Sequence, residues 1–147
     1  MLVKRVMSKK VVSVSVPGSR EKVLDLMRKE NKAVLPVIKE DNNKLVGVVT
    51  RSDLINNPDE EQIAMLMSRN LIVASPDDDV KDAARIMIEN DVRRVPVVND
   101  DGELVGIITS FDFLAAVEEE SPEAVYRNTE EPFGVSGNCR EEYSLLR

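Results

Sequence analysis

The chain has no histidine and no tryptophan, and cysteine occurs once, at Cys139. Without histidine it lacks the commonest metal ligand and the usual general base near neutral pH, which argues against hydrolase or transferase chemistry. One cysteine permits no internal disulfide and fits a reducing, cytoplasmic setting. With no histidine to activate it, Cys139 does not read as a nucleophile. Aromatic residues make up only 3% of the sequence, so a core must come from Val, Leu, Ile, Met and Ala. No apolar run approaches the length that spans a bilayer. The opening MLVKRVMSKK has charge but no sustained apolar stretch, so it does not read as a secretory signal.

Charge of one sign also runs short, and unevenly. Residues 1–60 carry 12 basic and 8 acidic side chains, residues 61–118 carry 5 and 12, and residues 119–147 carry 3 and 7, giving a net charge of −7. An acidic chain is a poor general binder of nucleic acid. The basic start (Lys4, Arg5, Lys9, Lys10) reads as a solvated face.

What is present is a repeat. Residues 92–113, VRRVPVVNDDGELVGIITSFDF, read as strand, turn, strand and helix start. Two β-branched apolar runs flank Asp101-Gly102, a strong hairpin signal because Gly accepts positive φ without a Cβ clash. Residues 34–54, VLPVIKEDNNKLVGVVTRSDL, carry the same markers: Pro36 returns as Pro96, Gly47 as Gly106, Thr50 as Thr109 and Asp53 as Asp112. The offset drops by one between the prolines and the aspartates, which places one extra residue in the first turn. Upstream, Met7-Ser8 returns as Met67-Ser68, and Leu26-Met27 as Ile86-Met87. Two copies at one period point to a closed pair rather than a solenoid.

In chain order, Val11 to Val16 is extended and ends at Pro17-Gly18. Ser19 is a candidate N-cap for a helix over 20–31, whose apolar residues Val23, Leu24, Leu26 and Met27 fall at helical spacing. Residues 51–56 read as a short helix ended before Pro58, and residues 59–67 as a connecting helix. In the second copy Ile72 to Ala74 is extended, and a helix over 80–90 buries Ala83, Ala84, Ile86 and Met87. After the helix start at Thr109 to Asp112, the last helix continues from Phe113 to Glu119. Three acids, Asp77 to Asp79, could suggest a Mg²⁺ site, but capping of the following helix is the better reading. Residues 121–126 form a candidate short helix, and the remaining tail has weak periodicity.

The markers LPVI…LVGVVTRSDL and VPVV…LVGIITSFDF resemble CBS motifs, the modules named after cystathionine β-synthase, over about residues 6–118. The resemblance implies an α+β fold of two βαββα repeats packed by their sheets about a pseudo-two-fold axis. The expected division is motif 1 over 1–58, motif 2 over 59–119 and a tail or linker over 120–147. It implies a regulatory, non-enzymatic module that often pairs into a homodimer and acts on a partner protein or attached domain. Clefts between such motifs take AMP, ADP or ATP, or in some members S-adenosylmethionine; no cofactor is required. The physics agrees: about sixty residues bury too little surface alone, and each small sheet needs cover that the other copy can supply.

Thr50/Asp53 and Thr109/Asp112 form T-x-x-D, which by itself reads as a capping box. The resemblance adds that the Asp accepts ribose hydroxyls and the Thr touches the nucleotide, a role suited to an acceptor-only carboxylate. The copies differ at Arg93 and Arg94, which align with Ala33 and Val34. Arginine can fork onto two phosphate oxygens, whereas Ala and Val cannot. The alternative for the arginines is surface ion pairing with Glu89 or Asp91, worth little. Two unequal sites are therefore expected. The stronger uses Thr109, Asp112, Arg93 and Arg94 with Val12, Ala33 and Val34; the weaker uses Thr50 and Asp53 with Ile72 and its neighbours. A ligand-free dimerisation module remains the competing reading.

Overall fold

The computed structural model describes residues 1–120; the candidate helix over 121–126 and Cys139 lie outside them. Two antiparallel hairpins organise the rest. Strands β2 (Val34–Lys39) and β3 (Leu45–Thr50) pair from Val34 with Thr50 to Ile38 with Leu45. Strands β4 (Arg94–Val98) and β5 (Leu104–Thr109) pair from Arg94 with Thr109 to Val98 with Leu104. The register shifts at the matching place in both, between Val37 and Ile38 and between Val97 and Val98. The turns differ as the one-residue offset requires: the first takes Asn43 through positive φ, the second takes Gly102 at φ 81°.

The two tips join each other. Leu45 N–H donates to Gly102 O at 3.0 Å, and Leu104 N–H donates to Asn43 O at 3.1 Å. The Asn43 side-chain amide adds a bond to Leu104 O at 3.2 Å. These reciprocal bonds place the pseudo-two-fold axis between the turns.

In the first repeat, β1 (Val14–Val16) lies parallel to β2, and α2 (Arg20–Glu30) follows. Asn31 ends α2 in the left-handed region. Ser19 stands at its N-cap but makes no side-chain capping bond. Helix α3 (Arg51–Asn56) leaves β3 directly. The expected connecting helix over 59–67 shrinks to α4 (Ile63–Leu66). Its first half is held in other ways: Arg20 N–H donates to Glu61 O and Ile63 N–H to Gly18 O. In the second repeat, the extended segment forms a single parallel bridge, Ala74 with Val97, instead of a strand. Helix α5 (Val80–Glu89) buries Val80, Ala83, Ala84 and Met87, with Ile86 half-buried at the core edge. Helix α6 (Ser110–Glu120) starts directly after the Thr109 cap, where the T-x-x-D motif placed the helix start. No helix among the described residues is long and apolar enough to cross a membrane.

The cores do not follow the repeat boundaries. One cluster joins Val14, Val23, Met27, Leu35, Val37, Val49 and Leu54 to Ile63 and Leu66 of α4. The other joins Ala74, Val80, Ala83, Met87, Val95, Val97, Ile108 and Phe113 to Val3 of α1 (Val3–Val6). Each short helix thus completes the core of the other repeat. Ser8 pairs with Ile107 on β5, and Ser68 with Val48 on β3. The glycine that both copies share now has a cause. A Cβ at Gly47 would sit 2.8 Å from Ser68 O, and one at Gly106 would sit 2.9 Å from Ser8 O. Only Gly lets the exchanged segment approach that closely.

The acids of the second repeat serve structure. Asp79 accepts from Lys81 N–H at 2.9 Å, Asp78 accepts from Ser75 N–H, and Asp77 pairs with Lys4. The hydrogen bond from the Lys81 N–H holds the Asp79 carboxyl below its ordinary range, helped by the nearby amino-terminal charge. Among the described residues no group of three acids, histidines or cysteines is arranged to hold a metal ion.

Candidate functional site

A cleft of about 230 Å³ opens on the seam between the repeats. The first repeat contributes Val34 at the start of β2 and Val48 and Thr50 on β3. The second contributes the extended Asn70-Leu71-Ile72, then Val92, Arg93, Arg94 and Pro96 at the entry of β4, and Thr109, Ser110 and Phe111 where β5 becomes α6. The walls are therefore mostly aliphatic. The polar groups converge at the end of the sheet where Arg94 pairs with Thr109. Arg94 is exposed and makes no ion pair with a described residue.

Both T-x-x-D motifs are capping boxes. Thr50 N–H donates to Asp53 Oδ2 at 2.8 Å, and Asp53 N–H donates to Thr50 Oγ1 at 3.1 Å. Thr109 N–H donates to Asp112 Oδ2 at 2.8 Å, and Asp112 N–H donates to Thr109 Oγ1 at 3.2 Å. Each box uses one carboxylate oxygen; among the described residues Oδ1 of Asp53 and of Asp112 takes no hydrogen bond. Capping and ligand contact are thus compatible in one side chain.

The residues singled out in the sequence sort unevenly. Arg93, Arg94, Thr109, Val34, Thr50 and Ile72 meet in this one cleft. Ile72, assigned above to the weaker site, shares a wall with the arginines, because the segment before each repeat's helix lies against that repeat's own β-hairpin. Val12 and Ala33 do not line it. Ala33 is wholly buried in the protein interior, with its carbonyl accepting from Arg51 N–H. Asp112 and Asp53 are not among the lining residues; each is held in its capping box, three positions after the lining Thr109 or Thr50.

The model of the CBS domain matches residues 3–60 and again 61–119. The chain belongs to the CBS-domain family. Its two CBS domains resemble solved CBS pairs throughout the described residues. The structure of CBSX2 in complex with AMP superposes with a TM-score of 0.72 at 30% identity, covering 81% of this chain and 97% of that one. The CBS domain pair of protein MJ0100 in complex with 5′-methylthioadenosine and S-adenosyl-L-methionine gives 0.67 at 31% identity, covering 82% and 98%. In sequence, the uncharacterized protein MJ0188 of Methanocaldococcus jannaschii is 32% identical over 79% of this chain and 44% of its own length. Inosine-5′-monophosphate dehydrogenase of Thermoplasma acidophilum is 36% identical over 71% of this chain but 21% of the enzyme. The CBS pair thus spans less than half the length of these two curated relatives.

Sequence reasoning covered Leu71 only as a neighbour of Ile72 and did not name Asn70, Val48, Val92, Pro96, Ser110 or Phe111 as lining residues. Leu71 was within reach, since it is the repeat counterpart of Val11, beside the Val12 that was named. Phe111 also had a signal: an aromatic inside T-x-x-D of a chain with few aromatics.

Proposed function

We propose that this CBS pair is a regulatory sensor that binds an adenosine nucleotide (AMP, ADP or ATP) in the seam cleft. The observation that carries the reading is the composition of that cleft: aliphatic walls from both repeats, with Arg94 exposed at one end beside the Thr109 cap. Such a cleft suits a ligand with a flat apolar part and an anionic end. Arg93 and Arg94 take the phosphate as charge-assisted, forked donors. The second oxygen of Asp112 takes the ribose diol. The complexes of CBSX2 with AMP and of the MJ0100 pair with adenosine-containing ligands support the class of compound.

Regulation follows from where the cleft lies. A ligand touching both repeats has different affinity for different relative arrangements of them, and by linkage shifts their equilibrium. A homodimer and a regulated partner, either separate or in the same polypeptide, are the proposed readers of that shift.

Calorimetry of the full chain with AMP, ADP, ATP and S-adenosylmethionine tests the reading. The expected result is saturable binding of at least one nucleotide with a matching rise in apparent melting temperature. No heat and no stabilisation with any of them at millimolar concentration would refute it in favour of the ligand-free dimerisation module. Tighter binding of S-adenosylmethionine than of any nucleotide would move the assignment to that sulfonium compound.

A further inference from the structure

Among the described residues the aromatic side chains are Phe111 and Phe113, two positions apart at the start of α6. Phe113 is buried in the second core. Phe111 is 76% exposed, more than any other large apolar side chain described, and it lines the cleft. Its repeat counterpart is Ser52. A single exposed apolar side chain is ordinary on a protein surface. One placed at the mouth of an aliphatic cleft, in a chain so poor in aromatics, has a use for its flat face.

The backbone beneath Phe111 is firmly held. Ser110 N–H donates to Arg93 O at 2.9 Å, and the Thr109–Asp112 box brackets the residue. The position of the ring's base is thus set, while its exposure leaves the ring free to turn. Leu71, Ile72 and Val34 form aliphatic wall elsewhere in the same cleft.

We propose that Phe111 is the base-holding jaw of this cleft, closing its ring over the planar heterocycle of the bound compound. The proposal rests on reading the cleft as an adenosine site and adds what grips the base. Aliphatic walls accept any apolar group of the right size. A phenyl face adds attraction that only a flat π-system returns. The second repeat therefore favours compounds that carry a flat heterocycle as well as a charge. The first, with Ser52 at the equivalent place, does not.

The test compares wild type, Phe111→Ala and Phe111→Trp as full chains, by calorimetry with AMP and with ribose 5-phosphate. The expected result is an AMP affinity about tenfold weaker in F111A and retained in F111W, with little change toward ribose 5-phosphate. The protein has no native tryptophan, so the introduced indole is a sole reporter. Its fluorescence should be quenched by AMP and not by the sugar phosphate. Unchanged AMP affinity in F111A overturns the proposal and leaves the cleft assignment standing. Altered self-association of F111A with unchanged AMP affinity also overturns it, and makes Phe111 a contact between protomers. If wild type binds no adenosine compound, both readings fall, which separates the two failures.

Discussion

The first and second repeats solve the same backbone problem and present different chemistry with it. Both hairpins carry a register shift at one place, both leave their last strand through a Thr–Asp capping box, and both place Gly where the other repeat's leading segment passes. The differences sit at the ends. In the first repeat α3 stops after Asn56, and the Arg20 guanidinium donates to Leu54 O, Asn57 O and Glu60 O at 2.8, 2.7 and 3.3 Å. The counterpart of Arg20 is Val80, buried in the second core, where α6 runs on and has no end to cap at that place. At the seam the first repeat offers Val34 where the second offers Arg94, while Ala33, the counterpart of Arg93, is buried in the interior. Duplication kept what positions the chain and varied the side chains that meet the cleft.

The sharpest way to break the comparison is to attack the exchanged helices. Ile63→Ala should destabilise the protein by about 3–4 kcal/mol, and Val3→Ala by about 2 kcal/mol, in urea unfolding. Hydrogen exchange should place the weakened amides of V3A in α5 and β4, far along the chain. Weakening confined to the N-terminal repeat would contradict the exchange.

Next, Gly47→Ala and Gly106→Ala should each cost about 2 kcal/mol, because the neighbour to be displaced is backbone as well as a methionine side chain. Similar values in the two repeats support their equivalence; a large effect at only one position breaks it.

Ligand binding should then separate the repeats. Arg94→Val, which gives the second repeat the residue of the first, should weaken AMP binding about tenfold in calorimetry. Asp112→Ala should weaken it more than Asp53→Ala, although both remove a capping bond worth about 1 kcal/mol. The opposite order would reverse the ranking of the two sides of the seam.

The smallest effect is expected with pH. Asp79 caps α5, whereas its counterpart Ser19 makes no side-chain capping bond to α2. The folded pKa of Asp79 lies below its unfolded value, so its stabilisation is present above the unfolded pKa and is lost as pH falls through the folded one. Between pH 5 and the acid limit, the first turn of α5 should lose exchange protection ahead of α2. Equal loss in both helices would remove the distinction, and Asp79→Asn should flatten it.

Much of this architecture was legible because repetition is a one-dimensional signal. Pro36/Pro96, Gly47/Gly106 and the two T-x-x-D motifs mark hairpins and helix starts through local rules of φ, turn chemistry and capping. The candidate site was legible only in part. Arg93, Arg94 and Thr109 were reached because they depart from, or repeat, a local pattern. Val48 and Val92 were missed because lining a cleft is a property of two surfaces that meet, and neither surface carries the pattern alone. That Ile72 meets Thr50 and Thr109 in one cleft, rather than serving only one of them, has the same origin.

By itself, the sequence determined that the chain is an α+β pair of like repeats, where their strands turn, which face of each helix is apolar, and that only one repeat carries paired arginines. Those follow from interactions between residues close along the chain. Only the tertiary structure decided that Val3 and Ile63 complete each other's cores, that the hairpin tips bond together, and that Val34 and Ile72 share a cleft with Arg94. Both pairings of a leading helix with a core are consistent with the same apolar pattern. The choice is made by close backbone approach at Gly47 and Gly106 and by cross-repeat hydrogen bonds, which act between residues tens of positions apart.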